Sequence, residues 1–295
     1  MTGSQGLTHP DRVLFPEVGI TKGDVAAYYE TVAEWILPHL EDRPLTLKQC
    51  APDVDHCRYL RHAGERVPSG LRTIEVQEQR KRGTYMVVDS LPALLALVQR
   101  YIIEYHTWQA TATHLEQPNR IVFDFDPGEE VPWAALMNAV RALRGILQAL
   151  KLESWLKTTG GKGLHVVVPF KPEHGWDTCL SFARAAATHL MAEDPHLYTI
   201  TTAHRDKRRR QILIDYLRNA RTATAVAAFS IRARPTATVS VPLAWDELTR
   251  TLNPNRWTVQ TLPARLKRLR RDPWADFWRV NQRLSGAALA ATGAL

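Results

Sequence analysis

The stretch Ile121-Val122-Phe123-Asp124-Phe125-Asp126-Pro127 constrains this 295-residue chain more than any other. Residues suited to a buried strand run into two acids, and a proline then stops the strand. Alternation along a strand sends Asp124 and Asp126 to one face and Phe123 and Phe125 to the other. Two carboxylates held side by side repel unless a cation, a basic group or a proton intervenes. Two readings stand at this point: a pair bridged by divalent metal, or two solvated turn acids ahead of a helix. For a bare Asp-x-Asp the second is the commoner outcome.

The length suffices for one large domain or two small lobes, each with its own core. No run of about 18 apolar residues occurs, which excludes a membrane-spanning helix. The opening Met1-Thr2-Gly3-Ser4-Gln5-Gly6 lacks a charged-then-apolar signal pattern, so export is not expected. Cys50, Cys57 and Cys179 cannot all pair and no Cys-x-x-Cys appears, which fits a reducing cytoplasm without a structural zinc. A net charge of +8 suggests a polyanionic partner. Basic residues cluster at Arg80 to Arg82, Arg205 to Arg210 and Arg265 to Arg271, while acids gather at Asp124, Asp126, Glu129 and Glu130. Metal-dependent chemistry on nucleic acid requires such a basic surface around an acidic pocket.

Periodicity places a helix from a Thr21/Asp24 cap through Val25, Tyr28, Val32 and Ile36, ended by Pro38. Strands are expected at 45–50, 58–61, 73–79 and 85–88, a helix at 91–101, and a further segment at 102–108. The clearest helix spans 132–151, with Leu136, Val140, Leu143 and Leu147 in register. Strands at 155–157 and 164–168 flank a glycine-rich turn, a helix follows at 176–191, and strands at 198–202 and 211–216 bracket a basic loop. Strands at 225–231 and 238–241, helices at 245–251 and 263–284, and an Ala/Gly-rich tail complete the chain. Strands and helices mix without regular βαβ alternation, so the class is α+β with two sheets.

Two further constellations could carry chemistry. In Thr159-Gly160-Gly161-Lys162-Gly163-Leu164-His165 the glycines let backbone N–H groups converge on an anion, and Lys162 adds a charge. No Walker spacing is present, so alone this is as well read as a tight hairpin, and His165 as a core histidine. In Ile212-Leu213-Ile214-Asp215-Tyr216 a strand aspartate is costly if buried unpaired. Arg218 could satisfy it; joined instead to Asp124 and Asp126 it completes a three-carboxylate site for hard divalent cations.

Read together and in order, these motifs resemble the polymerase domain of bacterial ligase D, in the archaeo-eukaryotic primase superfamily. The resemblance extends from His9-Pro10-Asp11-Arg12-Val13-Leu14-Phe15-Pro16 through Glu104-Tyr105-His106-Thr107-Trp108 to Phe229-Ser230-Ile231-Arg232. It implies a primase-like core of two sheets flanked by helices around an active-site cleft. By the resemblance, Asp124, Asp126 and Asp215 hold two divalent ions, Mn2+ or Mg2+. Lys48, Tyr59, His106, Thr159, Gly161, Lys162, Gly163, His165 and Arg232 bind the nucleoside triphosphate (NTP or dNTP). Arg12 and Lys22 grip the 5′-phosphate of DNA, and Arg208 arranges the primer end. Departures are small: Tyr59 stands where relatives often have two adjacent aromatics, and Thr159 replaces a common serine.

The implied activity is template-directed nucleotidyl transfer that fills gaps and extends DNA ends in non-homologous end joining, with ribonucleotides preferred. Ku and a DNA ligase are the implied partners, beside DNA and nucleotides, in a bacterial cytoplasm and at the nucleoid during repair; no membrane is involved. A de novo primase, a non-catalytic end-bridging module and a metal-dependent nuclease are the alternatives. Residues 1–284 are expected as one domain, with an N-terminal lobe at 1–118 and a metal and nucleotide core at 119–284. A flexible tail is expected at 285–295.

Overall fold

The computed structural model describes residues 6–64, 67–203 and 208–293. The chain forms two compact units: Met1–Thr113 with Val226–Val241 and Asn255–Arg270, and His114–Ala225 with Pro242–Pro254 and Arg271–Leu295. The sequence suggested a single boundary near residue 118. Instead the chain returns to the first unit after residue 225, through strand pairing that a linear reading does not see.

The first unit opens with β1 (Val13–Phe15), β2 (Ile20–Thr21), α1 (Lys22–Thr31) and α2 (Ala33–Leu40). Then come β3 (Leu45–Cys50), β4 (Cys57–Leu60), β5 (Arg72–Gln77), β6 (Arg82–Val87), α3 (Leu91–Gln99) and β7 (Ile102–Thr107). Thr21 and Asp24 form the reciprocal cap that starts α1. Tyr29, fully buried on α1, donates its hydroxyl to Ile103 O of β7 at 2.6 Å and meets Tyr105 edge-on.

The second unit contains β8 (Arg120–Pro127), α4 (Trp133–Ala149), β9 (Trp155–Thr158), β10 (Leu164–Pro169), α5 (Trp176–Glu193), β11 (Tyr198–Thr199) and β12 (Ile212–Asp215). Of the later elements, β13 (Ala225–Val226) falls at the boundary, β14 (Pro242–Leu243) belongs to the second unit, α6 (Leu262–Arg268) to the first and α7 (Gly286–Ala291) to the second. Two six-stranded sheets result, so the fold is α+β. One runs β13-β7-β3-β6-β5, with β4 on β3; the other runs β11-β12-β8-β10-β9-β14. β8 therefore lies inside the second sheet, antiparallel to both β12 and β10. Phe123 and Phe125 are fully buried on one face of it, while Val122 packs on the other with Val167, Trp274 and Phe277. α4 packs on β8 and β10 through buried Leu136, Met137, Val140, Leu143 and Leu147, each contributing about 1.5–3 kcal/mol.

Several elements differ from expectation for identifiable reasons. The first helix breaks at Val32, and Pro38 sits inside α2, where its missing N–H costs one bond in the last turn. The helix expected at 263–284 stops at Arg268, because Leu269 turns extended and Pro273 follows. Beyond it, Trp274 and Phe277 bury by stacking, 4.7 Å between ring centroids, rather than by helical spacing. The helix expected at 245–251 is one 3-10 turn, Trp245–Glu247. The strand expected through 231 breaks after Val226, Phe229 takes a left-handed φ of 64°, and pairing resumes as an isolated bridge between Ile231 and Val239. Where a flexible tail was expected, Ser285 caps α7 and Leu289 is buried. Cysteine usage pointed to reduced thiols. The β3–β4 register sets Cys50 against Cys57, however, and these two form a disulfide. Cys179 is free, and burial pushes its thiol up to about 12.

Candidate active site

In the second unit the strand register sets out a row of polar and charged side chains. Asp215 of β12 lies opposite Asp124 of β8, Asp124 opposite His165 of β10, and His165 opposite Lys157 of β9. Directly opposed residues share a face, so four strands place two acids, an imidazole and an amine side by side. Asp126 projects to the same face two residues on and is exposed. Asn219 fixes the chain leaving β12: its Oδ1 accepts from Val122 N at 2.8 Å, and its Nδ2 donates to Val122 O at 2.8 Å. That anchor brings Arg218 between the acids, its Nε 3.1 Å from Asp124 Oδ2 and 3.1 Å from Asp215 Oδ2.

Burial works against the Asp124 carboxylate. The His165 contact at 3.3 Å and the Arg218 and Lys157 charges outweigh it and hold Asp124 well below the usual carboxylate range. Asp215 shifts the other way: burial and the neighbouring Asp124 and Asp126 raise it, against Arg218 and the Leu217 N–H. Burial and the Lys157 charge lower His165 to about 4, so it is neutral near pH 7. Its Nδ1 and the Nε of Arg208 are buried without a hydrogen-bond partner among the described residues. Among those residues, no three His, Cys, Asp or Glu side chains converge into a metal-holding group as they stand. The donors nonetheless suit a hard cation: carboxylate oxygens, two of them already sharing one guanidinium.

The turn joining β9 to β10 lies beside this row. Thr159 donates both N–H and hydroxyl to Gly163 O, at 3.2 and 3.1 Å, and Gly160 takes a φ of 67°. Gly163 has no room for a Cβ, because Phe125 O of β8 occupies that place. Thr159, Gly161 and Gly163 are buried, while Lys162 is exposed at the tip. Arg208 packs its backbone carbonyl against Gly128. Arg209 and Arg210 bind Glu130 through their Nε atoms, at 2.9 and 2.7 Å. The rest of the expected basic loop, Arg205 to Lys207, lies outside the described residues.

The first unit gathers two other groups of expected residues. Register aligns Tyr59 of β4, Lys48 of β3 and Glu104 of β7. Glu104 is 1% exposed and meets Lys48 Nζ at 3.4 Å, His106 Nε2 at 2.8 Å and Arg232 Nε at 3.1 Å. Tyr59 is exposed, with Lys48 Nζ 5.6 Å from its ring centroid and His106 edge-on at 5.7 Å. Elsewhere Lys22 and Arg12 share the Tyr101 ring, at 4.5 and 5.9 Å. The Lys22 amine is buried and donates to Thr8 O and Gln99 Oε1, both at 2.8 Å; burial, then Arg12, lowers its pKa. Sequence reasoning missed Glu104, Lys157 and Asn219, and read Arg218 only as a neighbour that could satisfy Asp215.

His165 carries a test by pH. Its stabilising contribution is complete above about pH 6.5 and fades as pH falls through about 4, because the unfolded chain binds a proton that the folded chain refuses. The loss is roughly 2–4 kcal/mol for a shift of this size. His165→Gln is expected to flatten Tm against pH over that window; parallel curves for the two proteins would count against a neutral buried imidazole.

Residues 21–274 match the family model described as LigD, primase-polymerase domain. The multifunctional non-homologous end joining protein LigD of Pseudomonas aeruginosa is 35% identical over 288 residues, covering 97% of this chain and 34% of that protein. The bifunctional LigD of Bacillus subtilis is 24% identical over 278 residues, 94% of this chain and 44% of that protein. The chain thus spans less than half the length of either relative. The solved polymerase domain of Mycobacterium tuberculosis Ligase D, in complex with DNA, superposes with a TM-score of 0.83 at 30% identity. That match covers 89% of this chain and 94% of the solved one.

Proposed function

Because this chain belongs to the LigD primase-polymerase domain family, we propose that it adds nucleotides, ribonucleotides by preference, to broken or gapped DNA ends under template direction in non-homologous end joining. The observation that carries the reading is the opposition of Asp215 and Asp124 across β12 and β8, beside the turn from Thr159 to Gly163. Acids for a cation and backbone groups for an anion are what nucleotidyl transfer needs together.

Asp124, Asp126 and Asp215 would hold the divalent ions, manganese or magnesium, which when bound lower the pKa of the primer 3′-hydroxyl and offset charge on the departing pyrophosphate. The chain's own groups do the positioning. Arg218 sits between the two crowded carboxylates and offsets their repulsion, and His165, its Nε2 3.3 Å from Asp124 Oδ1, holds that acid toward the triphosphate. Thr159, Gly161, Lys162 and Gly163 face the triphosphate, and Lys48, His106 and Arg232 also take nucleotide contacts, with Tyr59 offering a ring face to the base. Arg208, with its Nε unpartnered, arranges the primer end. Exposed Arg12 meets the 5′-phosphate, backed by the buried Lys22. Ku and a DNA ligase act alongside it in the bacterial cytoplasm.

The test is primer extension on a 5′-phosphorylated gap with manganese, comparing ribo- and deoxyribonucleotides. Addition of one or a few ribonucleotides is expected, with little product from an unprimed single strand. Shortened primers, or DNA binding without extension, would overturn the reading.

A further inference from the structure

Glu104 of β7 is buried behind the side chains of Lys48, His106 and Arg232. Both its oxygens are saturated: Oε1 accepts from Lys48 Nζ at 3.4 Å and Ala233 N at 2.7 Å, and Oε2 meets His106 Nε2 at 2.8 Å and Arg232 Nε at 3.1 Å. Burying a carboxylate is costly, and a single ion pair repays that cost only with further hydrogen bonds. Here three side chains from three separate segments converge on it instead, with a backbone N–H as the fourth donor. Burial opposes ionisation, but His106, Arg232 and Lys48 hold the carboxyl well below its ordinary range.

The gradient of exposure gives the arrangement a direction. Lys48, Arg232 and His106 side chains are 18%, 16% and 11% exposed, while Glu104 is 1% exposed. The carboxylate sits at the back and the three basic side chains show their outer sides. Two permanent positive charges against one negative leave a surplus of positive charge facing outward, which suits a polyphosphate. Long flexible side chains lose affinity through the entropy of ordering them, and a shared anchor removes that cost before the ligand arrives.

We infer that Glu104 is a positioning residue, a buried anchor that pre-sets Lys48, His106 and Arg232 for the nucleotide triphosphate. The inference rests on the polymerase reading, but its ligand step is separable from catalysis. Glu104→Gln keeps the shape and sets an amide N–H among donors. It is expected to raise the KM for ATP at least tenfold while kcat stays within about threefold. Glu104→Asp keeps the charge one methylene short and should recover part of that loss. In a double-mutant cycle, Arg232→Ala should cost far less in the Glu104→Gln background than alone, because the anchor acts through it.

A merely structural ion pair predicts a lower unfolding temperature, unchanged KM and additive costs; that result overturns the inference. If Glu104→Gln does not fold, the Glu104→Asp variant decides by the same KM criterion. Calorimetric binding of ATP with manganese, without DNA, separates the two levels. A wild-type chain that binds ATP but does not extend primers sinks the polymerase reading, and the variants' binding constants still decide Glu104. A wild-type chain that binds no ATP sinks the Glu104 inference itself.

Discussion

Replacing Asp124 and Asp126 together by alanine is expected to lower nucleotide incorporation by at least about 10³-fold, the scale on which removal of an essential charged pair acts. Asp124 is the middle of the cross-strand row, opposed by Asp215 on one side and His165 on the other. Without it, one carboxylate remains for any cation, and His165 loses its charged neighbour. The fold should survive. Arg218 keeps Asp215 as a partner at 3.1 Å, and relief from two neighbouring negative charges makes the remaining acid easier to ionise. Unfolding temperature and DNA affinity are therefore the controls: both should stay near wild-type values while incorporation disappears. Full incorporation by the double variant would mean that the carboxylates are only solvated strand-end acids.

Gly163→Ala should be nearly as damaging, for a steric rather than an electrostatic reason. The added methyl would fall on Phe125 O, a backbone atom of an interior strand that is hydrogen-bonded into the sheet on both sides. Neither backbone can yield without loosening the pairing of β10 with β8, so a loss of about 3 kcal/mol is expected, at the upper end for overpacking. The same shift displaces Thr159 and His165, and activity should fall roughly 100-fold, the scale of a misplacement of about 1 Å. Gly145, in the interior of α4, provides the comparison. A Cβ there meets nothing within 4 Å, and Gly145→Ala should leave activity unchanged and stabilise by about 0.5–1 kcal/mol. Similar melting temperatures for the two variants would show that the close approach at Gly163 does not matter.

Sequence made some of this site legible and hid the rest for a physical reason. Alternation alone put Asp124 and Asp126 on one face, and three aliphatic residues before Asp215 marked it as a buried strand acid. Glycine spacing exposed the turn from Thr159 to Gly163. All of these signals are local. Lys157 and Glu104 became visible only through register, which pairs strands whose separation the chain does not encode locally. Asn219 belongs with them, since its two hydrogen bonds to Val122 tie one strand's exit to another strand. The end of α6 misled for the converse reason. Leu262, Leu266 and Leu269 continue a helical spacing up to a segment whose Trp274 and Phe277 are held by ring stacking and by an indole bond to Leu156 O at 2.9 Å.

The interior place of β8 also has a consequence for a chain being made from its N-terminus. β10 follows soon after β8, but the partner on the other edge is late: Asp215 of β12, opposite Asp124, comes 91 residues further on (215 against 124). At about 5–20 residues per second, synthesis of such a stretch lasts roughly 5–20 s, and through that time one edge of β8 has no native neighbour. An open edge is a template for pairing with a foreign strand, and charge on it discourages that. Asp124 and Asp126 stand at the end of that edge. Those two carboxylates thus put charge on the edge during the interval in which it is open.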